Sequence, residues 1–385
     1  MLLIINAGSQ TTKFALFDAK LNFISNGKTF RKDKKYHFKL RIRNEEGREG
    51  TSEKEITKKQ FLNPTKLIRN NIEGKVDKIG FRIVHGGEEF REPTELTKEV
   101  VQKLEALNDL APLHNPPALN RAKQFRKEFI NTPLFGIFDT AFHQTIPEKA
   151  FLYGLPYDFY KQHAVRRYGF HGTSVRYVLD ELNHIDSGHS KVIVCHLGGG
   201  SSITAIKDNK SVDTSMGFTP LEGLIMSTRS GDVDNAVIYY LVEKQGFSLE
   251  ELQKIENKKS GVRGISGETA DMRKLLELEK NDNKRAKLAI DMYVYRIQKM
   301  IGSYIAALNG IDALVFTAGI GEGSDIIRKR ICEKLKYAGI EIDDGINGGR
   351  IDVSDNLKIS TEKSKATWVI PTNEELQIAR EINTL

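Results

Sequence analysis

Leu3-Ile4-Ile5-Asn6-Ala7-Gly8-Ser9-Gln10-Thr11-Thr12-Lys13-Phe14-Ala15-Leu16-Phe17-Asp18 reads as an apolar strand, a turn of small and hydroxyl residues, and a second apolar strand. The same three-part pattern returns at Val192-Ile193-Val194-Cys195-His196-Leu197-Gly198-Gly199-Gly200-Ser201-Ser202-Ile203-Thr204-Ala205-Ile206-Lys207. A turn without bulky side chains lets backbone N–H groups face outward, where they can hold phosphate oxygens. Two such hairpins, about 190 residues apart, point to a duplicated fold that grips one polyphosphate from both sides.

Working outward, the rest alternates strands with helices, which makes the chain an α/β protein. Tyr36 to Arg43 alternates with period two, and Asn44-Glu45-Glu46-Gly47 should turn it. Lys78 to Val84 reads as a buried strand ending at His85-Gly86-Gly87, and Thr97 should cap a helix. Thr132 to Phe138 is a further strand that delivers Asp139 at its carboxyl end. Tyr153 to Tyr168 carries no strong period and reads as a passage between domains. In the second half, Lys284 to Leu308 is a long amphipathic helix ending at Asn309-Gly310. The strand Asp312–Thr317 leads into Ala318-Gly319-Ile320-Gly321-Glu322-Gly323, and Ser324 should cap the next helix. Thr367–Ile370 is a last strand, and Asn373 starts a terminal helix.

The chain of 385 residues is long enough for two domains. Its 39% hydrophobic and 28% charged residues are an ordinary globular balance, and no apolar run is long enough to span a bilayer. The net charge of +7 suits anionic partners. Much of the excess lies in Lys28–Lys59, which reads as a solvated surface. No zinc-finger spacing or RNA-binding aromatic pattern is present, so neither nucleic acid nor a membrane is an expected partner. Two cysteines, Cys195 and Cys332, lack metal-ligand spacing and suit a reducing cytoplasm.

Several residue types point toward phosphoryl transfer, which needs positioned phosphates, a divalent metal and cations around the moving group. Gly8, Ser9, Thr11 and Lys13 fit a phosphate loop, although a plain hairpin turn fits them equally well. There is no Walker A sequence. Arg82 sits inside an apolar strand, so its charge needs a partner. Arg229, in Ser227-Thr228-Arg229-Ser230-Gly231-Asp232, offers a guanidinium fork suited to carboxylate or phosphoryl oxygens. Asp139 stands at a strand mouth, where it either faces a ligand or caps a helix. His171 is flanked by Gly169 and Gly172, which would let the imidazole approach a ligand. Gly319 to Gly323 spells G-x-G-x-G near the C-terminus, a poor match to the dinucleotide fingerprint of a dehydrogenase.

Taken together, Asn6-Ala7-Gly8-Ser9, Arg82-Ile83-Val84-His85-Gly86-Gly87, Phe138-Asp139-Thr140-Ala141-Phe142-His143-Gln144 and Tyr168-Gly169-Phe170-His171-Gly172-Thr173-Ser174 resemble the acetate kinase family. The resemblance continues through His196-Leu197-Gly198, Thr214 to Gly223, Thr228 to Asp232, Asp271-Met272-Arg273, Gly319 to Glu322 and Pro371 to Glu375, in the family's order along almost the whole chain. It implies a duplicated actin-like, sugar kinase–Hsp70 (ribonuclease H-like) fold with two domains around a central cleft. The expected domains are 1–145 plus 372–385 on the acyl side, and 146–371 for nucleotide binding and dimerisation.

It also implies reversible, magnesium-dependent transfer of the ATP γ-phosphoryl group to acetate, with acetyl phosphate and ADP as products, by a cytoplasmic homodimer. Manganese is an alternative metal. The rivals are a propionate or butyrate kinase on the same fold and a non-catalytic actin-like nucleotide binder.

Carried over position by position, Asn6 and Glu374 resemble the magnesium-site residues and Lys13 a nucleotide-phosphate contact. Arg82 resembles the substrate arginine, Asp139 the essential acid, and His171 with Arg229 the pair that stabilises the moving phosphoryl group. His196, Leu197, Gly198, Gly199 and Gly200 are similar to one nucleotide segment. Asp271, Met272 and Arg273 are similar to a second, and Gly319, Ile320, Gly321, Glu322 and Gly323 to a third. Val84, Leu113, Phe170 and Pro220 resemble the apolar pocket for the acyl methyl. Gly199 and Gly323 replace the family's usual Asn, Ser227 a Gly, Asn235 a Pro, and Gln10-Thr11-Thr12 a Ser-Ser-Leu run. The two Gly changes remove side-chain hydrogen bonds but keep backbone donors, so altered nucleotide affinity is expected rather than lost chemistry.

Overall fold

The structure, a computed structural model, describes residues 1–8, 11–43, 48–111, 114–349 and 355–385. The turn expected at 44–47, Ser9 and Gln10 of the first loop, and Leu113 lie outside the described residues. The chain divides into two compact units. One comprises Met1–Ala141, Gly172–Ser174 and Asn373–Leu385, the other Phe142–His171 and Val175–Thr372.

The first unit is built on an eight-stranded sheet. Its strands are β1 (Leu2–Ala7), β2 (Thr11–Phe17), β3 (Phe23–Lys32), β4 (Lys35–Arg43), β5 (Glu49–Ile56), β6 (Lys78–Ile83), β7 (Thr94–Glu95) and β8 (Leu134–Phe138). They lie in the order β5-β4-β3-β2-β1-β6-β8-β7. The second unit has β9 (Lys191–Leu197), β10 (Ser201–Lys207), β11 (Lys210–Thr214), β12 (Ala313–Thr317), β13 (Leu357–Lys358) and β14 (Ala366–Val369) in the order β11-β10-β9-β12-β14-β13.

Both sheets contain one five-strand pattern. Three antiparallel strands (β3-β2-β1 or β11-β10-β9) are followed by two strands parallel to the last of them, β6 and β8 or β12 and β14. The duplication read from the two hairpins is therefore a duplication of topology.

Strand β1 is apolar on both faces because both are covered. Leu3 and Ile5 join the core with Phe81, Leu119 and Phe125. Leu2 and Ile4 face Ile378 and Ile382 of the terminal helix Glu374–Asn383. That helix runs antiparallel to β6. Lys78 Nζ donates to Ile382 O at its far end, and Arg82 pairs with Glu374 at its start. Gly80 between them is required, since a Cβ there would lie 2.6 Å from Ile378 Cγ2.

In the second unit the helix Lys284–Leu308 lays Ile290, Ile297, Ile301, Tyr304 and Leu308 into a core with Ile193 and Cys195 of β9. Asn309 ends it in the left-handed conformation, at φ 53°. Thr97, Ser324 and Asn373 cap their helices as the sequence suggests.

Three segments differ from the sequence reading. Residues 153–168 contain a helix, Tyr157–His163, with no buried side chain and hence no periodic signal. Ala318–Gly323 is itself a short helix rather than a loop. The Lys-rich stretch 28–59 is not merely a solvated surface: β3, β4 and β5 run through it and bury Thr29, Phe38, Leu40 and Ile56.

Candidate active site

In the first unit the site forms where β6 and β8 end. Arg82 occupies the same β6 face as Lys78 and Gly80, which brings it to the start of the terminal helix. Its Nε donates to Asp139 Oδ1 at 3.0 Å and its Nη2 to Oδ2 at 2.6 Å, and Nε lies 3.4 Å from Glu374 Oε2. Burial opposes the guanidinium charge, but Asp139 and Glu374 outweigh it and raise its pKa further above the usual value.

Asp139 is buried. Its backbone N–H donates to Ile83 O at 3.0 Å, and Oδ1 also accepts from Thr173 Oγ1 at 2.9 Å. The carboxylate thus serves Arg82, and the helix-cap reading of Asp139 falls away. Burial pushes the Glu374 carboxyl up to about 7, with Arg82 opposing the rise and Asp139 and Glu375 adding to it.

The loop after β6 is fixed by backbone bonds. His85 N–H donates to Asn115 Oδ1 at 3.1 Å, and Asn115 Nδ2 returns a bond to His85 O at 2.9 Å. Gly86 N–H donates to Thr140 Oγ1, and Gly87 N–H to His85 Nδ1 at 3.0 Å. An Nδ1 that accepts is unprotonated, and burial drops the His85 pKa to about 4. Val84 is half-buried beside this loop.

Asn6 continues the Leu2–Ile4 face of β1 toward the terminal helix, and its register partner on β2 is the exposed Lys13. Arg82 here faces three acids, Asp139, Glu374 and Glu375, and Lys13 is close enough to favour the charged form of Glu374, so three acids stand against two cations. That surplus of negative charge fits a divalent cation. Among the described residues no cluster of three or more acidic, His or Cys side chains forms a ready-made cage. Magnesium is commonly held by one or two carboxylates, with water and substrate phosphates completing its shell, so the residues present fit it.

In the second unit the site is built around Gly200. A Cβ placed there would lie 3.3 Å from Arg229 Nη1 and 3.4 Å from His171 Nε2. Among the described residues Arg229 has no carboxylate partner. Its contacts are Pro220 O at 3.4 Å and Met226 Sδ at 3.8 Å, and burial lowers its pKa. Among the described residues the Gly199 and Gly200 N–H groups also donate to no protein acceptor. The turn between β9 and β10 therefore presents two backbone donors beside a guanidinium and an imidazole, a constellation suited to an anion. In both hairpins the first glycine of the turn is closed onto a carbonyl of its own loop, Gly198 N–H onto Gly200 O at 3.1 Å and Gly8 N–H onto Thr11 O at 2.8 Å.

His171 precedes the helix Gly172–Ile185 in the left-handed region, at φ 62°. A non-glycine residue is held there only by its surroundings. Its Nδ1 lies 2.9 Å from Ser202 Oγ, and its ring stacks on His196 at 4.0 Å between centroids. Phe170 is buried, and its carbonyl accepts from His143 Nε2 at 2.9 Å. Pro220 is half-buried.

The other nucleotide candidates carry visible structural duties. Asp271 caps the helix Met272–Lys280 and pairs with Arg273 at 2.9 Å, while Met272 is core. Glu322 Oε1 accepts from Ala318 N–H at 2.7 Å, Thr372 N–H at 3.0 Å and Thr317 Oγ1 at 3.3 Å, which holds Ala318 in a left-handed turn. Leu197 is buried, and Ile320 packs against the core. Around Gly319 and Gly323 the space is open: a methyl group on either would meet nothing within 4 Å. Gly198 and Gly321 sit closer to backbone and side-chain atoms.

Two contributors escaped the sequence reading, Thr173 and Ser202. Their only signal is a hydroxyl just after His171 and another opposite His196 in the hairpin register.

The model of the Acetokinase family matches residues 1–380. The acetate kinase of Carboxydothermus hydrogenoformans is 49% identical over 318 residues, covering 82% of this chain and 79% of that protein. Among solved structures, Porphyromonas gingivalis acetate kinase superposes with a TM-score of 0.89 at 39% identity, covering 100% of this chain and 98% of that one. A propionate kinase from Francisella tularensis superposes with a TM-score of 0.90 at 38% identity, covering 99% and 98%.

Proposed function

The chain belongs to the acetokinase family, and on that premise we propose that it passes the ATP γ-phosphoryl group reversibly to acetate, giving acetyl phosphate and ADP. The observation that carries this reading is the constellation at Gly200, where Arg229 Nη1, His171 Nε2 and the Gly199 and Gly200 N–H groups gather, and where Arg229 has no carboxylate partner among the described residues. Such donors suit the equatorial oxygens of a phosphoryl group in flight.

Arg82 receives the acid's carboxylate. A carboxylate oxygen attacks the γ-phosphorus in line as the bond to the β–γ bridging oxygen breaks, and ADP departs with that electron pair. The attacking acid is already ionised at neutral pH, so no general base is required. Asp139 is committed to Arg82 and Thr173 and therefore orients the guanidinium instead of taking a proton. The family resemblance assigns the acyl methyl group to Val84, Leu113, Phe170 and Pro220. Asn6 and Glu374 would hold magnesium or manganese, which when bound screens the charge of the nucleotide phosphates. Lys13 and the segments 196–200, 271–273 and 319–323 serve the nucleotide.

The Francisella likeness favours a second reading, propionate as the preferred acid. The test is a panel of two- to four-carbon acids with ATP and magnesium, trapping acyl phosphate as its hydroxamate. Acetate should give the highest kcat/KM. A propionate optimum selects the second reading, and no hydroxamate with any acid overturns both.

We propose further that the protein is a homodimer. The helix Asn235–Gln245 buries none of its residues and leaves Val237, Tyr239 and Tyr240 exposed beside Phe247 and Leu249. A helix that buries none of its own side chains and exposes several large apolar ones suits a second copy. No described helix is long and apolar enough to cross a membrane. Cys195 and Cys332 are buried and unbridged, which suits the reducing cytoplasm.

A further inference from the structure

We infer that Ser202 is a positioning residue that fixes His171 in the Nε2–H form, so that the imidazole donates toward the Gly200 turn. The argument begins with proton accounting. Ser202 is fully buried on β10, and among the described residues its side chain has one hydrogen-bond partner, His171 Nδ1 at 2.9 Å. A hydroxyl carries one proton, and a buried donor without an acceptor is costly. If Nδ1 carried the ring proton, Ser202 could only accept, and its own proton would be stranded. The bond is satisfied on both sides only when Ser202 donates to Nδ1. The proton of a neutral imidazole then lies on Nε2.

Nε2 is the atom that matters for the site. It lies 3.4 Å from the Cβ position of Gly200, where Arg229 Nη1 also converges. With the proton there, the imidazole joins the guanidinium and the glycine N–H groups as a donor. With the proton on Nδ1, it would point a lone pair at the same oxygens and repel them. Packing fixes the plane of the ring, because His196 stacks on it at 4.0 Å with 19° between the planes. The backbone supports the aim: His171 is held at φ 62°, and Gly169, at φ 75°, has no room for a side chain beside Thr214 and His143. Ser202 faces His196 in the β9–β10 register, so one hairpin supplies the N–H groups, the stacked ring and the hydroxyl.

The inference rests on the proposed phosphoryl role of His171, but the tautomer can be read without turnover. In protein labelled with 15N-histidine, His171→Gln identifies the His171 ring signals. Wild type should show the Nε2–H pattern. Ser202→Ala should shift it toward Nδ1–H or a mixture, and should lower kcat about tenfold or more, with KM for acid and nucleotide within about twofold. A purely structural serine would leave the tautomer in place. An Nδ1–H form in wild type overturns the assignment, as does a Ser202→Ala variant with unchanged tautomer or unchanged kcat. Should Ser202→Ala fail to fold, the wild-type spectrum decides alone. Absence of acyl phosphate formation by wild type would strike the proposed activity and leave the tautomer measurement standing.

Discussion

Arg82 and Asp139 meet fork to fork, Nε to Oδ1 at 3.0 Å and Nη2 to Oδ2 at 2.6 Å, with Asp139 buried between the guanidinium and Thr173. Asp139→Asn keeps the shape and removes the charge. It should lower kcat/KM for acyl phosphate formation about a hundredfold or more. It should also cost about 3 kcal/mol in urea unfolding, since one partner of a buried pair is lost. Wild-type stability in this variant would count against the pair.

Arg229 should behave in the opposite way toward stability, because among the described residues no carboxylate depends on it. Arg229→Ala should cut turnover by about 10²–10³, the cost of losing a key charge-stabilising donor. Its melting temperature should be unchanged or raised. Activity and stability falling together would assign Arg229 a structural role.

His85 supplies a pH dependence of stability. Its pKa is about 4 in the folded protein against an ordinary value of 6.5. The unfolded chain therefore binds more protons between these values, and stability rises with pH across the window. The contribution is complete above about pH 6.5 and is lost as pH falls toward about 4, by roughly 3 kcal/mol. Urea titrations of wild type and His85→Asn at several pH values should show this slope in wild type and a flatter one in the variant.

Glycines separate packing from ligand approach. Gly80→Ala would drive a methyl against Ile378 and should cost about 1–3 kcal/mol. Gly323→Ala meets open space and needs no unusual φ, so its stability should stay within about 0.5 kcal/mol of wild type. A raised KM for ATP in Gly323→Ala would then report a nucleotide lying against that segment, and an unchanged KM would remove the segment from the site.

The exposed apolar side chains of the 235–245 helix give a test of assembly. Tyr239→Glu with Tyr240→Glu should convert a dimer to a monomer in size-exclusion chromatography with light scattering. An unchanged mass would place the interface elsewhere.

Much of this architecture is legible in the residue order alone. The apolar runs flanking Gly8 and Gly199 identify the repeated hairpin, and burial of both faces of β1 explains why its sequence is apolar throughout. Arg82 inside an apolar strand demands a partner, and it has two. Strand β5 is illegible because all but Ile56 of its side chains are exposed, leaving no alternation to read in Glu49–Ile56. The 157–163 helix is hidden for the same reason. The local duties of Asp271 and Glu322 depend on where their oxygens point, which residue order does not encode. Ser202 is invisible because its importance arises from a partner 31 positions away.

The bond from Lys78 to Ile382 joins residues 304 positions apart, and the helix it secures carries Glu374 to Arg82. During synthesis, the first unit therefore stays open until residues 373–383 have left the ribosome. The nascent chain cannot bring Arg82 and its second carboxylate together ahead of time, so that pairing waits for the emergence of the helix.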